Sequence, residues 1–471
     1  MASSPEAREF DVVVIGGGPA GENVAGRCAE GGLRTVLVER DLVGGECSYW
    51  ACMPSKALLR PGEAVAAVRR VPGAREAVEG EIDPAAALKW RDAIVTEWDD
   101  RDQVEWLENA KVELVRGHAR LFGPKQVEVE TEEGRERLRA TTAVVVATGS
   151  SAAPPPVRGL DQTRVWDNRD ATEATEVPER LIVLGGGPVG CELAQAFKRL
   201  GSRRVILVEA AQRLLSREEP FVSQQIRDAL TEDGILVYTN VSAIRVMRET
   251  DDTQITAVLA DGRSITGDEL IVAVGRSPNT WDLGMDTLGL KAGASLEVDD
   301  QLRSTQVAGG WLYAVGDVNG RSLLTHMGKY QARLAADAIL GKPVEAWADH
   351  RAVPRVIFTD PQVAAVGLTE QQAGDAGLEA LAVQCPTESV AGSTVRGEGA
   401  TGTSQLIVDR HRSVLVGATF TGREVADLLH AATVAIVGEV PLERLRHAVP
   451  AFPTVSEVWL KLVEGYLSAA R

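Results

Sequence analysis

Unbroken apolar runs punctuated by glycine set the organisation of this chain. The first is VVVI, Val12–Ile15, followed by GGGPAG, a helix-like stretch and a second apolar run, TVLVE at Thr35–Glu39. Short apolar runs bounded by glycine predict strands buried on both faces of a parallel sheet. The order strand, Gly-rich turn, helix, strand returns at Arg180–Glu209, read as RLIVLGGGPVGCELAQAFKRLGSRRVILVE. Two later segments echo each other as strand and turn: VVVATGS, ending at Ser150, and IVAVGRSPN, Ile271–Asn279. A first unit therefore spans 1–150. The Pro-rich segment Ser151–Asp161 reads as a linker into a second unit ending at 277. A return segment, 278–346, carries WLYAVGDVNG and SLLTHMGKYQAR, and a last unit, 347–471, opens near Trp347. In that last unit strand alternations are expected at Ser404–Val416 and a helix over Gly422–Val437. Trp90, Trp98 and Trp106 recur every eight residues, about 80° apart on a helix, and predict the packed side of one long helix.

Composition narrows the classes. The chain has 471 residues and a formal net charge of −17, which repels a phosphate backbone and excludes nucleic acid as partner. No apolar stretch approaches the ~20 residues of a membrane helix. The polar lead MASSPEARE has no signal-peptide core, so a cytoplasmic location is expected. Five cysteines in such a chain do not form a structural disulfide framework.

Each glycine of the first repeat has a physical task. Gly16 permits the tight turn, Gly18 lets backbone N–H groups approach a pyrophosphate, and Gly21 lets the helix pack close. The helix N-terminus then faces the phosphates, and Glu39 stands where an acid accepts a ribose hydroxyl. Gly185, Gly187, Gly190 and Glu209 repeat the set. An acid at Glu209 favours NADH, because it repels a 2′-phosphate; Arg203, Arg204, Arg213 and Arg217 lie near enough to soften that preference.

Cys47 and Cys52 sit in GGECSYWACMPSK, Gly44–Lys56. Four intervening residues can close a ring if the backbone kinks at a helix start, and a thiolate at a helix N-terminus is stabilised. Pro54 suits the first turn of that helix. Two dinucleotide cradles and a dithiol in one chain imply an electron relay.

With these motifs, and with FPTVSE near the end, nearly the whole chain resembles the pyridine nucleotide–disulfide oxidoreductases of the dihydrolipoamide dehydrogenase and glutathione reductase type. The resemblance implies an α/β fold: an FAD-binding domain in two parts (1–150 and 278–346), an NAD(P)-binding domain (151–277), and a C-terminal α+β dimerisation domain (347–471) that makes a homodimer. It implies FAD on the first cradle with Glu39 on its ribose, Asp317 on the ribityl chain, and Gly149 and Gly275 at cofactor-binding turns. Lys56 is implied beside flavin N5, paired with Glu192. Cys52 is implied as the flavin-proximal thiol and Cys47 as the thiol that meets the substrate.

One block departs from that pattern. The family's disulfide reductases carry a His that protonates the leaving thiol and a Glu that orients it. Here AFPTVSE places Phe452 at the His position, while Glu457 remains. Such an acid–base group contributes about 10² to 10⁴ in rate. Of six His, His326 in LLTHMG is the best replacement. Soluble transhydrogenases also have an aromatic here, and 2-ketopropyl-coenzyme M carboxylase has Phe. The ending LSAAR has no Cys pair, which argues against mercuric reductase and large thioredoxin reductases. Two readings follow. One uses a working Cys47–Cys52 disulfide with an unidentified small-molecule electron acceptor. The other reduces quinones, dyes or a second nicotinamide directly from the flavin, with Phe452, Tyr49 and Trp50 making an apolar substrate side.

Overall fold

The computed structural model describes residues 7–248, 254–399 and 401–469. The start of the polar lead, five residues of the expected NAD(P) domain and the last two residues of LSAAR lie outside the described residues. The chain forms two compact units, one of 1–54, 92–153 and 276–350, the other of 55–91, 154–275 and 351–471.

In the first unit, β1 (Arg8–Ile15) leads through α1 (Pro19–Glu30) to β2 (Thr35–Glu39). They continue into β3 (Glu113–Arg116), β4 (His118–Leu121), β5 (Gln126–Thr131) and β6 (Gly134–Val146). The sheet order is β3-β2-β1-β6-β5-β4, and the returning strand Leu312–Ala314 pairs with β6. The β1, β2 and β3 pairings are parallel, with Val12 opposite Thr35 and Ile15 opposite Val38. Val12, Val13 and Val14 are fully buried, as the unbroken apolar run predicts for a strand covered on both faces. The first half of β6 pairs antiparallel with β5, and its apolar second half pairs parallel with β1. The core combines these strands with Ala332, Ala335 and Ala336 of the helix Thr325–Ile339.

The three tryptophans do not share one helix. A helix at Pro84–Ile94 ends before Thr96, Glu97 and Trp98, all at positive φ, and a separate helix spans Arg101–Asn109. Left-handed backbone at three successive residues cannot continue a helix. Trp90 and Trp106 remain substantially exposed.

In the second unit a four-stranded parallel sheet holds Arg180–Leu184 between Arg204–Val208 and Glu269–Val272. Residues 55–91 belong here by packing: Leu58, Leu59 and Leu88 are buried with Ala196 and Leu200. The sequence reading had carried the first unit unbroken to 150. The C-terminal part is a five-stranded antiparallel sheet. The expected Ser404–Val416 run is a hairpin of Thr403–Asp409 and Val414–Gly422. The expected helix starts at Leu429 rather than Gly422, which finishes the second strand.

Candidate functional site

The first cradle depends on missing side chains. Gly16 has φ +103°, and a Cβ there would lie 2.4 Å from the Ala147 carbonyl oxygen. At Gly21 a Cβ would come within 1.8 Å of the Gly16 oxygen, so only glycine lets α1 approach the turn. Gly18 differs, because the nearest atom to a Cβ there is 3.9 Å away. Its bareness leaves room at the start of α1, which has no side-chain cap, so the first N–H groups remain free for an anion.

Glu39 closes the turn. Its carboxylate accepts from the Gly17 N–H at 2.5 Å and the Asp41 N–H at 2.7 Å. Burial pushes its carboxyl up, and these two N–H groups oppose that shift. The expected ribose acceptor thus also braces the glycine turn. Beside it opens a cavity of about 160 Å³ bordered by Gly16, Glu39, His118, Thr148, Asn279 and Trp281. The turn and cavity fit the adenosine end of FAD. Trp281 is 71 % exposed, and its indole lies where a Cβ on Gly293 would sit. Nothing in the sequence reading singled it out.

Asp317 follows Gly316 in a 3₁₀ turn after the strand Leu312–Ala314. It accepts from Ser150 Oγ at 2.6 Å. Burial pushes its carboxyl up, with Ser150 and Arg276 opposing. Arg276 donates to Ser150 Oγ at 2.7 Å and pairs with Glu46. This polar cluster joins four sequence-distant motifs. GRSPN contained Arg276, but only the antiparallel pairing of Arg276–Pro278 with Ser150–Ala152 shows its purpose. Gly149, at φ +69°, accepts the Asn279 N–H at 3.0 Å, and Gly275 has φ +152°.

Between the thiols the chain makes the expected kink. Cys47 lies in a short helix, α2 (Gly45–Tyr49), and Cys52 opens α3 (Cys52–Arg69) after non-helical Trp50. Both sulfurs are unbonded thiols. The Cys47 thiol is pushed up, first by its hydrogen bond with Cys52 and then by burial, with Thr325 and Lys329 opposing. Thr325 Oγ1 donates to Cys47 Sγ at 3.0 Å and lies 3.3 Å from Cys52 Sγ. The sequence reading named the neighbouring His326, which is exposed; the residue contacting both sulfurs is Thr325. A short hydroxyl carries no motif of its own, so only the packing could identify it. Cys28 and Cys191 are buried, and burial pushes the Cys28 thiol up to about 12. That fits inert core cysteines.

Tyr49 and Trp50 do not form an open apolar wall. They are 1 % and 6 % exposed and pack around Val95, with Tyr49 Oη donating to Gln103 at 3.0 Å. Their rings contribute more stability in this satellite core than they would at a water-exposed face.

In the second unit, Lys56 Nζ meets Glu192 Oε2 at 2.7 Å. Glu192 is nearly buried, and its other oxygen accepts the Phe358 N–H at 2.8 Å. Lys56 also lies 5.0 Å from the centre of the Phe358 ring. Phe358, inside RVIFTDPQ, is a third member of the expected pair.

The second cradle repeats the first. Gly185 has φ +110° and a Cβ there would lie 2.3 Å from the Ala273 oxygen. Gly190 would clash with the Gly185 oxygen at 1.8 Å, while Gly187 has nothing within 4 Å. Glu209 accepts from Gly186 N–H at 2.5 Å and Ala211 N–H at 2.6 Å. Three of the nearby arginines have other partners: Arg213 binds Ser223 Oγ and the Ser216 carbonyl, Arg204 binds Thr266, and Arg203 faces Glu179. This open turn with its acid fits the adenosine half of a nicotinamide dinucleotide.

Phe452 is 76 % exposed, and Glu457 accepts the Gly392 N–H at 3.4 Å. Val434, Val437, Val449 and Leu460 are further exposed apolar side chains of this C-terminal part. Among the described residues no helix is long and apolar enough to cross a membrane.

Comparison with known proteins gives the same picture. Residues 10–336 match the pyridine nucleotide-disulphide oxidoreductase family, and residues 353–463 match its dimerisation domain. Dihydrolipoyl dehydrogenase of Thermus scotoductus is 33 % identical over 463 residues, covering 97 % of each chain. Mercuric reductase of Staphylococcus aureus is 31 % identical over 451 residues, covering 95 % of this chain and 81 % of that one. In structure, LpdA from Mycobacterium tuberculosis superposes with a TM-score of 0.86 at 24 % identity, covering 97 % of this chain and 99 % of that one. The HOCl-induced flavoprotein disulfide reductase RclA from Escherichia coli gives 0.84 at 24 %, with the same coverage. The dimerisation domain supports a homodimer, whose contact would cover apolar side chains otherwise left in water. Cradles, thiols and matches along nearly all its length place this chain in the pyridine nucleotide-disulphide oxidoreductase family, as an FAD-dependent NAD(P)H oxidoreductase.

Proposed function

We propose that this enzyme passes electrons from NADH through FAD into a Cys47–Cys52 disulfide, and that Cys47 delivers them to a small-molecule acceptor. The observation carrying this reading is the shared Thr325 hydroxyl, 3.0 Å from one sulfur and 3.3 Å from the other. One donor within reach of both thiols requires the thiols to converge, as disulfide closure demands. FAD, when bound, supplies the step that takes a hydride from nicotinamide and hands on two electrons. Gly16, Gly18, Gly21, Glu39, Gly149 and Asp317 would hold it. Gly185, Gly187, Gly190, Glu209 and Gly275 would hold the nicotinamide dinucleotide. Glu209 with no uncommitted arginine among Arg203, Arg204 and Arg213 supports NADH over NADPH. Lys56, fixed by Glu192, keeps a positive charge one turn beyond Cys52 on α3.

Anaerobic titration with NADH tests this reading. Two equivalents per FAD are expected for the wild type, and one for Cys52→Ser. One equivalent for the wild type would overturn it.

Phe452 supports a second reading, direct reduction of quinone-like acceptors or a second nicotinamide, because an exposed phenyl ring stands where an imidazole is expected. In that case the Cys47→Ser, Cys52→Ser double variant keeps full quinone turnover.

A further inference from the structure

Glu46 stands immediately before Cys47 in α2. The start of that helix is seated on the first cradle: the Gly44 N–H donates to the Gly17 carbonyl at 2.8 Å, and a Cβ on Gly45 would lie 2.6 Å from Gly18 Cα. From there the Glu46 carboxylate reaches Arg276 and pairs with its Nη2. Arg276 carries the contacts onward. Its Nε donates to Ser150 Oγ at 2.7 Å and its Nη2 donates to the Ser150 carbonyl at 2.5 Å. Ser150 Oγ in turn donates to Asp317 Oδ2 at 2.6 Å. The direction is fixed, because the serine hydroxyl has one proton and gives it to Asp317.

One guanidinium thus stands between two carboxylates. Glu46 touches it, whereas Asp317 Oδ2 lies 3.8 Å from Arg276 Nε. The side chains of Glu46, Arg276 and Asp317 are 19 %, 22 % and 24 % exposed, so water screens their charges weakly. Among the described residues both partners of the Asp317 side chain meet Oδ2, which leaves Oδ1 to accept a hydroxyl of the ribityl chain. Without Glu46, the carboxylate facing Arg276 is Asp317, and a small swing of the guanidinium would occupy the acceptor that the cofactor needs.

We propose that Glu46 is a positioning residue for FAD: it draws the Arg276 guanidinium away from Asp317 and keeps that carboxylate free for the ribityl chain. This rests on the reading that puts FAD on the first cradle with Asp317 as its ribityl acceptor. The same ion pair fastens α2, and with it Cys47, to the strand that carries Arg276.

The test uses the full chain stripped of FAD and two probes. ADP can fill the first cradle but has no ribityl chain, whereas FAD has both parts. Glu46→Gln should raise the Kd for FAD, read by the change in flavin fluorescence, about tenfold, the scale of one hydrogen bond to a charged group. ADP affinity at this cradle, read by its competition with FAD, should stay at the wild-type value. Adding Arg276→Met to Glu46→Gln should bring FAD affinity back towards wild type, because no guanidinium is left to occupy Asp317. A wild-type Kd for FAD in Glu46→Gln, an equal loss of FAD and ADP affinity, or a double variant no better than Glu46→Gln would overturn the proposal. Asp317→Asn separates this role from the reading beneath it. Unchanged FAD affinity in Asp317→Asn removes Asp317 as the ribityl acceptor. Weakened binding there, with an unmoved Glu46→Gln, removes only the role of Glu46.

Discussion

The two dinucleotide cradles differ less in their turns than in what adjoins them. At both, the first glycine sits under a carbonyl oxygen, the third would strike the first at 1.8 Å, and the middle one faces open space. Both end in a glutamate that braces the turn through two backbone N–H groups. Beyond the first lie a cavity with an exposed tryptophan and then the thiol corner. Beyond the second, the next helical residues bring Glu192 to Lys56. The backbone solution for a pyrophosphate is general. What distinguishes the two cradles is the set of side chains brought beside each: the thiols near the first, the Lys56–Glu192 pair after the second.

Paired glycine substitutions should separate the cradles most sharply. Gly21→Val should abolish FAD binding, since the helix cannot approach the turn. Gly190→Val should leave bound FAD intact, read as flavin absorbance per protein, yet abolish its reduction by NADH. Loss of FAD in both variants would break the comparison. Next in size is the Lys56 pair. Lys56→Met leaves nearly buried Glu192 with only the Phe358 N–H, and should cost about 1–3 kcal/mol in denaturant unfolding. Glu192→Gln keeps an acceptor for that N–H and should cost less. At the acids, Glu209→Gln should narrow the NADH over NADPH preference by about tenfold, the equivalent of one hydrogen bond to a charged group. Glu39→Gln should leave that ratio unchanged.

A smaller effect concerns pH. The Glu22 carboxyl, pushed above its ordinary value of 4.5 to about 7, binds its proton more tightly in the folded state. Its contribution to stability is complete below 4.5 and is lost as pH rises through about 7. Glu22→Gln should therefore flatten the fall in thermal midpoint across that window. The smallest effect is at Trp281: Trp281→Ala should weaken FAD retention a few-fold, seen as released flavin fluorescence on dilution, without changing the NADH preference.

The cradles were legible because glycine has no substitute at Gly16, Gly21, Gly185 or Gly190, so steric need is written directly as residue type. The spacing of Cys47 and Cys52 across a kink was legible too, and the folded chain brings both thiols to one hydroxyl. Thr325, Phe358 and Arg276 were not, because each acts through a packing or strand pairing between segments far apart in sequence. Periodicity misled at Trp98, where three left-handed residues interrupt a spacing that looked helical. Residue type misled at Tyr49 and Trp50: aromatic character suggested a substrate wall, and burial against Val95 made them core.

The hydroxyl of Thr325 has one proton and two sulfurs within reach. Whichever thiol is ionised is the better acceptor and claims that proton, so stabilising one sulfur withholds the same help from the other. Thr325 therefore works as an arbiter of stabilisation: a rotation about a single side-chain bond turns its hydrogen bond from one sulfur to the other with no backbone displaced, while the charge itself moves only when a thiol proton does. Valine at this position would keep the shape and remove the arbitration.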